Sequence, residues 1–167
     1  MRDPLKIVFM GTPDFAVESL KTLIEHDYNI VGVITAPDKP AGRGRQLQES
    51  AVKQFARSKS LNILQPTNLK DAGFIKELEG FQANLQMVVA FRMLPQVGWQ
   101  MPKYGTFNLH ASLLPNYRGA APIHWAIING ETTTGVTTFF IDDKIDTGAI
   151  ILQGSTSIEP DETVGSL

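Results

Sequence analysis

The sequence predicts an α/β domain in which a mainly parallel sheet lies between two layers of helices. Short apolar runs rich in β-branched residues alternate with segments of helical apolar spacing along the 167 residues. This alternation is typical of parallel sheets with helical connections. Hydrophobic residues make up 43% of the chain and charged residues 19%, which suffices for a sizeable core. In such three-layer α/β/α domains, ligands bind at the carboxyl ends of the strands.

The N-terminal segment predicts the first strand and the first helix. "KIVFMG" at 6–11 is a continuous apolar run of strand length, so we expect a buried strand. Thr12 is expected to cap a helix that begins at Pro13, where a missing N–H costs nothing. The apolar residues of this helix form one stripe that comprises Ala16, Leu20, Leu23 and Ile24.

The middle of the chain continues the alternation. The expected strands span residues 29–35, 62–66 and 85–91. The expected helices span residues 50–59 and 71–79. Helical spacing turns Phe74, Ile75 and Leu78 inward. The segment 36–46 is rich in glycine, proline and charge, and we expect it to be a polar loop.

The last third adds three strands and one helix. These elements are expected at 105–110, 121–130, 135–141 and 149–156, of which 121–130 is the helix. Helical spacing places Trp125 in the core. "IEPDETVGSL" has the pattern of a helix start with Thr163 as its cap, and no helix body follows. We therefore expect a domain that is truncated at its C-terminal end.

Composition restricts the classes of function. The net charge of −2 and the pI of about 5.9 disfavour a broad nucleic-acid-binding face, so any such contact should be local. The chain has no cysteine for disulfides or thiolate metal sites, and its three histidines lack metal-ligand spacing. No segment approaches the ~20 apolar residues of a membrane span. We expect a soluble, cytoplasmic protein without membrane contact.

The strand at 105–110 ends in two polar side chains. Asn108 and His110 share one face of the strand, because successive side chains point to opposite faces. Two hydrogen-bond donors at one point suit the oxyanion that forms when a nucleophile attacks a carbonyl. Asp146, in a loop between strands, is a candidate to set the tautomer and charge of the histidine. The alternatives are a satisfied structural Asn–His pair and a plain Asp–x–Gly turn.

Four motifs carry a resemblance to a known family. "FMGTPDFAV", "PDKPAGRGR", "NLHASLLPNYRGAAPIHWAIINGE" and "DTGAI" together resemble the folate-dependent formyltransferase family, from about residue 6 to the last residue. "GTPDFAV" and "PAGRGR" narrow the resemblance to the tRNA-directed branch. It implies a three-layer, Rossmann-like formyltransferase catalytic domain over residues 1–167, with a downstream tRNA-binding domain absent from this chain.

The resemblance also implies a reaction. A formyl group would pass from 10-formyltetrahydrofolate, the co-substrate, to the α-amine of methionine on initiator methionyl-tRNA, in translation initiation and without a metal. Asn108 and His110 would stabilise the oxyanion, and His110 could also supply a proton. Asp146 would pair with His110, favour its charged form and hold an ordered water for proton transfer.

Further residues are assigned to the substrates by the same resemblance. The folate-binding residues would be Arg92, Met93, Leu94, Ser112, Leu113, Leu114 and Pro115. The tRNA-binding residues would be Lys39, Arg43 and Arg45, with Arg43 as the leading contact. "AFRMLP" at 90–95 is one residue shorter than the commoner family pattern "AYGLILP". No obligate protein partner is expected.

Two rival functions stay open at this point. The first is a folate-dependent formyltransferase that acts on a small amine, such as a sugar or glycinamide ribonucleotide. The second is a non-catalytic Rossmann-like module that binds a nucleotide. "GTPDF" lacks both the G-x-G-x-x-G spacing and a P-loop lysine, which disfavours nucleotide binding.

Overall fold

A computed structural model describes residues 3–44, 46–144 and 146–167. The chain divides into two compact units, one ending at Thr106 and the other spanning Phe107–Leu167. Among the helices of the described residues, none combines the length and the apolar character that a membrane crossing requires.

The first unit contains a parallel sheet with helical connections. Its elements are β1 (Lys6–Gly11), α1 (Asp14–Glu25), β2 (Asn29–Ile34), β3 (Lys39–Ala41), β4 (Gln46–Gln48), α2 (Ala51–Ser58), β5 (Ile63–Leu64), α3 (Ala72–Gly80), β6 (Leu85–Val89) and α4 (Gln96–Trp99). Four strands pair side by side in the order β5–β2–β1–β6, and all three pairings are parallel. The predicted parallel sheet is therefore confirmed in this unit.

The core of the first unit is centred on β1. Val8, Phe9 and Met10 are fully buried, as expected for an apolar strand between two neighbours. At the end of this strand, a Cβ atom on Gly11 would lie 2.7 Å from the Cβ of Ala16 and 2.8 Å from the carbonyl oxygen of Val89. Only glycine allows α1 and β6 to approach the strand end this closely.

Two local predictions for the first unit are wrong. The segment 36–46 is not a plain loop, because β3 and β4 pair as an antiparallel hairpin. These short strands are mostly exposed and lack the apolar alternation by which strands are recognised in a sequence. Helix α1 begins at Asp14 with Pro13 as its N-cap, and no side chain caps it, so Thr12 does not have the predicted role.

The second unit is built on antiparallel strands. Its elements are β7 (Thr106–His110), α5 (Pro122–Ile128), β8 (Thr133–Phe140) and β9 (Ile150–Ser157). The order is β7–β8–β9, and both pairings are antiparallel. Thr163 accepts a bond from the backbone N of Ser166 (3.2 Å), but residues 158–167 form turns and no helix, so the predicted helix start is not observed. Trp125 is 51% exposed and does not lie in the core, contrary to the prediction. Helix α5 has only seven residues, and the residue that it buries is Ala126.

Candidate active site

Asn108 and His110 lie on β7, as the sequence predicts. His110 is the last residue of the strand and pairs with Thr137 of β8, while Asn108 pairs with Phe139. Alternation along the strand gives the two side chains a common face. His110 therefore lies at the carboxyl end of the strand, and Asn108 lies two residues before it, in the middle of the strand.

The imidazole of His110 is buried and held at one nitrogen. The residue is 8% exposed, and its Nε2 lies 2.7 Å from the backbone carbonyl oxygen of Tyr117. A carbonyl oxygen can only accept a hydrogen bond, so Nε2 carries a hydrogen. The other nitrogen, Nδ1, is 3.8 Å from Oδ2 of Asp146. Nδ1 is thus the nitrogen left for proton exchange or for contact with a substrate.

Asp146 is fixed beside the histidine by a backbone bond. Its Oδ2 accepts from the backbone N of Gly119 at 2.8 Å, and its side chain is 11% exposed. Its φ of 52° lies in the left-handed region, which aspartate enters more readily than most residues. The separation of 3.8 Å from Nδ1 is that of an ion pair and is too long for a direct hydrogen bond. The carboxylate can therefore stabilise a positive charge on the ring.

Asn108 carries an unsatisfied polar atom. Among the side-chain atoms of the described residues, its Oδ1 is buried without a hydrogen-bond partner. Leaving such an atom unpaired costs about 1–3 kcal/mol, so a native site that retains one calls for an explanation. A half-turn of the amide would place Nδ2 there instead, so the position can offer a bound substrate an acceptor or a donor.

The loop after β7 is anchored by Thr137. This fully buried residue donates from Oγ1 to the carbonyl oxygen of Ser112 (2.7 Å) and accepts from the backbone N of Leu114 (3.1 Å). Gln153 donates to Thr137 Oγ1 and to the carbonyl oxygen of Leu114, both at 3.0 Å. The start of the loop is thereby fixed to β8 and β9.

The predicted folate residues of this loop differ in what they expose. Ser112 is fully buried, and its hydroxyl donates to the carbonyl oxygen of Asn116 at 2.6 Å. Leu114 is buried, Leu113 is half-buried and Pro115 is exposed, and the Leu114–Pro115 peptide is cis. Of these four residues, Pro115 is therefore the one whose side chain is exposed.

In the first unit, the predicted folate residues Arg92, Met93 and Leu94 separate into two groups. Arg92 donates to the carbonyl oxygens of Pro66 (2.7 Å) and Thr67 (3.1 Å), and Met93 is 76% exposed. Leu94 is buried. A cavity of about 370 Å³ is lined by Thr67, Asn68, Leu69, Lys70, Arg92, Met93 and Pro95. Arg92 and Met93 therefore face a cavity that Leu94 does not line.

Two of the predicted tRNA residues lie on the hairpin. Lys39 is the first residue of β3, and Arg43 is in the turn before β4; both are exposed. Gly42 and Gly44 flank Arg43 with φ of 71° and 104°, which glycine adopts without strain. Arg45 lies outside the described residues. The hairpin thus presents Lys39 and Arg43 to solvent.

Polar contacts anchor the base of the hairpin. Asp38 accepts two bonds from Lys53 Nζ (2.8 and 3.0 Å) and one from Gln65 Nε2 (2.8 Å). The hydrogen bond from Lys53, followed by that from Gln65, lowers the pKa of Asp38, and the same bond raises the pKa of Lys53. The hydroxyls of Thr35 and Ser50 are 2.6 Å apart. These contacts join the hairpin to α2 and to the segment after β5.

Sequence reasoning missed three residues that organise this region: Tyr117, Thr137 and Gln153. The contact of Tyr117 with His110 is made by its backbone carbonyl, which residue type does not reveal. Thr137 left a weak signal, a hydroxyl within the apolar run "GVTTFF". Among the described residues, no three His, Asp or Glu side chains lie close enough together to hold a metal ion.

The family of this chain follows from comparison with known proteins. The sequence model described as "Formyl transferase" matches residues 5–167. The chain therefore belongs to the formyl transferase family, as its motifs predict. Its curated relatives include proteins named methionyl-tRNA formyltransferase.

Three of these relatives show the extent of the match. The protein of Flavobacterium johnsoniae is 67% identical over 165 residues, which are 99% of this chain and 52% of the relative. That of Flavobacterium psychrophilum is 65% identical, covering 98% of this chain and 52% of the relative. That of Bacteroides thetaiotaomicron is 60% identical, covering 98% and 51%. The chain thus spans about half the length of the curated relatives it matches.

Solved structures confirm the fold class. Phosphoribosylglycinamide formyltransferase from Bacillus halodurans has a TM-score of 0.77 at 20% identity, covering 96% of this chain and 84% of that one. The corresponding protein from Streptococcus pneumoniae has a TM-score of 0.77 at 19% identity, covering 97% and 87%. A formyltetrahydrofolate deformylase from Pseudomonas syringae has a TM-score of 0.72 at 20% identity, covering 98% and 55%. At these identities the likeness shows the Rossmann-like α/β fold alone.

Proposed function

We propose that this chain carries the formyl-transfer site of an enzyme that formylates the methionine of initiator methionyl-tRNA, with 10-formyltetrahydrofolate as the formyl donor. The observation that carries the proposal is the grouping of Asn108, His110 and Asp146 around the end of β7, where His110 Nδ1 lies 3.8 Å from Asp146. Identities of 60–67% to methionyl-tRNA formyltransferases support the choice of acceptor. The cytoplasm, as the site of translation, is the predicted location.

The chemistry begins with attack on the formyl carbon. The α-amine of methionine forms the new C–N bond, and an electron pair moves onto the formyl oxygen. Collapse of this intermediate restores the carbonyl and breaks the bond to N10 of the folate. The attacking nitrogen loses one proton and N10 gains one. Side chains here therefore have to stabilise a transient negative oxygen and move a proton.

His110 can do both through one nitrogen. Since Nε2–H is already donated to the carbonyl of Tyr117, Nδ1 is the nitrogen that can donate to the oxyanion or to the departing N10. The Asp146 carboxylate balances the positive charge that a doubly protonated ring carries. A water between Asp146 and Nδ1 would connect the two groups for proton transfer.

Asn108 completes the oxyanion site. A bound substrate fits its unsatisfied amide, because Oδ1 is buried without a partner among the described residues. Placing the amide N–H toward the formyl oxygen would stabilise the developing charge. Placing the amide oxygen toward the incoming amine would orient its lone pair. Either contact satisfies an atom that costs free energy when it is left unpaired.

The two substrates are assigned to different sets of residues. Folate is proposed to bind Ser112, Leu113, Leu114 and Pro115 mainly through backbone groups, and in the first unit Arg92, Met93 and Leu94. The Arg92 guanidinium is already hydrogen-bonded to the carbonyl oxygens of Pro66 and Thr67. It would therefore act mainly by fixing the position of the backbone at residue 92. Lys39 and Arg43 of the hairpin, together with Arg45, are proposed to meet the tRNA acceptor end. A downstream tRNA-binding domain stays a prediction.

The acceptor assay tests the reaction. Protein expressed from the complete coding sequence should transfer formyl from 10-formyltetrahydrofolate to methionyl-tRNA and not to glycinamide ribonucleotide, and His110→Ala should abolish most of the transfer. Transfer to glycinamide ribonucleotide instead would establish the small-amine alternative. Calorimetric titration with a folate analogue and with NAD separates both enzymes from a nucleotide-binding module, since only the enzymes should bind the folate.

A further inference from the structure

We propose that Tyr117 is a positioning residue for His110, because its phenol holds the backbone carbonyl that keeps the imidazole in one tautomer. The inference rests on the proposed function only in that it treats His110 as a catalytic group. The geometry that supports it lies wholly within residues 107–167.

Tyr117 has a backbone conformation that requires external support. Its φ is 56°, in the left-handed region that is unfavourable for a bulky side chain. Its hydroxyl donates to Oε1 of Glu131 at 2.6 Å and accepts from Nδ2 of Asn129 at 3.2 Å. The bond to Glu131 is the main cause that raises the pKa of the Tyr117 phenol. The two bonds hold the side chain from both sides.

The partners of the phenol are themselves fixed to the end of α5. The backbone N of Asn129 donates to the carbonyl oxygen of Trp125, and that of Glu131 donates to the carbonyl oxygen of Ala126, both at 3.0 Å. Ala126 is fully buried. The phenol is therefore tied to a packed helix end and not to a free surface side chain.

The backbone of Tyr117 transmits this anchoring to the imidazole. Its carbonyl oxygen accepts from Nε2 of His110 at 2.7 Å, which requires the hydrogen on Nε2 and leaves Nδ1 toward Asp146. Gly119, two residues further along, donates its N–H to Asp146 at 2.8 Å. One short segment thus places the acceptor for one ring nitrogen and the carboxylate that faces the other.

Removal of the phenol hydroxyl should therefore change the histidine. In Tyr117→Phe the hydrogen bonds of the phenol no longer fix the backbone carbonyl of residue 117. The imidazole of His110 can then exchange between the Nε2–H and Nδ1–H tautomers. We expect kcat to fall about tenfold, as for a small misplacement of a catalytic group, while KM for both substrates stays near the wild-type value. A residue that only stabilises the fold would change the melting temperature without changing the tautomer.

The experiment is 15N NMR on full-length protein labelled at histidine, recorded where the imidazoles are neutral. Wild type should show His110 as the Nε2–H tautomer, and Tyr117→Phe and Glu131→Ala should both show a mixture. Glu131→Gln keeps an oxygen that can accept from the phenol and should retain the wild-type signals. Two controls are Tyr104→Phe, a hydroxyl deletion in the first unit, and the signals of His26, whose Nδ1 is bonded to the carbonyl of Thr22.

The outcomes separate this inference from the proposed function. A tautomer mixture in Tyr117→Phe and Glu131→Ala supports the positioning role even if the wild type fails to formylate methionyl-tRNA. Unchanged His110 signals and unchanged kcat in both variants would overturn it even if the wild type is fully active. Should Tyr117→Phe fail to fold, the contrast between Glu131→Ala and Glu131→Gln decides the question alone.

Discussion

Asp146 lies with its Oδ2 3.8 Å from Nδ1 of His110, and the same oxygen accepts a hydrogen bond from the backbone N of Gly119. The carboxylate is therefore held by the loop and not by the histidine. Its position does not depend on the protonation of the ring. A carboxylate fixed in this way can stabilise an imidazolium as it forms, without first reorienting.

This relationship predicts how Asp146→Asn behaves. Asparagine keeps an oxygen for the Gly119 N–H but removes the negative charge, so the loop should keep its geometry. We expect kcat for formyl transfer to fall by about 10²-fold or more, the scale of losing one preorganised electrostatic group. Asp146→Ala, which also removes the Gly119 contact, should lower the melting temperature as well. Near-normal turnover in Asp146→Asn would show that the negative charge of Asp146 does not contribute to catalysis.

The oxyanion role predicts the effect of truncating the strand residues. His110→Ala and Asn108→Ala should each lower kcat by about 10²-fold or more. Both should fold, because His110 lies at the strand end and the Oδ1 of Asn108 makes no hydrogen bond among the described residues. Asn116→Ala is a suitable control, since the hydrogen bonds described for this residue are made by its backbone: the carbonyl accepts from Ser112, and the N–H donates to the carbonyl oxygen of Leu113. Single-turnover assays with methionyl-tRNA would measure the loss, and a variant with wild-type turnover would show that its residue was wrongly assigned.

The strands of this chain could be predicted where consecutive residue types along the chain determine them. β1 was predicted with its observed bounds, since an apolar run that ends in glycine is readable from residue types alone. The hairpin of β3 and β4 was missed because its strands are short and mostly exposed. Its anchoring depends on Asp38, Lys53 and Gln65, which the fold brings together from separate segments.

The site could be predicted in part for the same reason. Alternation places Asn108 and His110 on one face, and its position in a loop between strands makes Asp146 a candidate partner, a role that the resemblance also implies. The carbonyl of Tyr117 and the buried hydroxyl of Thr137 were not predicted. A backbone carbonyl is common to all residues, so which one meets an imidazole is decided by the path of the loop and not by residue type.

The anchoring of the loop by Thr137 predicts a loss of stability. Thr137→Val has a similar shape but leaves the carbonyl of Ser112 and the N–H of Leu114 without their partner. We expect the free energy of unfolding to fall by about 1–3 kcal/mol. Urea unfolding measures this difference, with Thr133→Val, an exposed position of the same strand, as the control. The same loss in both variants would mean that the buried hydrogen bonds contribute nothing specific.

The Tyr117–Glu131 bond predicts a pH dependence. The bond raises the pKa of Tyr117 above its ordinary value of 10.0, because the neutral phenol is the form that donates. Its contribution to stability is therefore complete below pH 10.0 and is lost as the pH rises through the higher folded value. Ultraviolet difference titration against Tyr117→Phe measures this pKa. The pKa of Tyr117 should be lower in Glu131→Ala than in the wild type. An unchanged pKa would contradict the hydrogen bond between Tyr117 and Glu131.

The exposed position of Arg43 predicts a defect confined to tRNA. The residue lies in the hairpin turn between Gly42 and Gly44, so Arg43→Ala should leave the melting temperature nearly unchanged. Folate affinity should also be unchanged, because the proposed folate residues lie in other segments. Use of methionyl-tRNA should weaken, since a guanidinium here would meet phosphates or the unpaired acceptor end.

The contact proposed between Arg43 and tRNA is electrostatic, so the predicted defect should depend on salt. The difference in kcat/KM for tRNA between wild type and Arg43→Ala should shrink as salt rises, because the wild type loses its advantage when counterions compete. Arg43→Lys keeps the charge and should retain most of the activity, whereas Lys21→Ala removes an exposed charge from α1 and should have no effect. Equal tRNA kinetics for Arg43→Ala and wild type at low salt would leave the hairpin turn as a solvated connection with no part in tRNA binding.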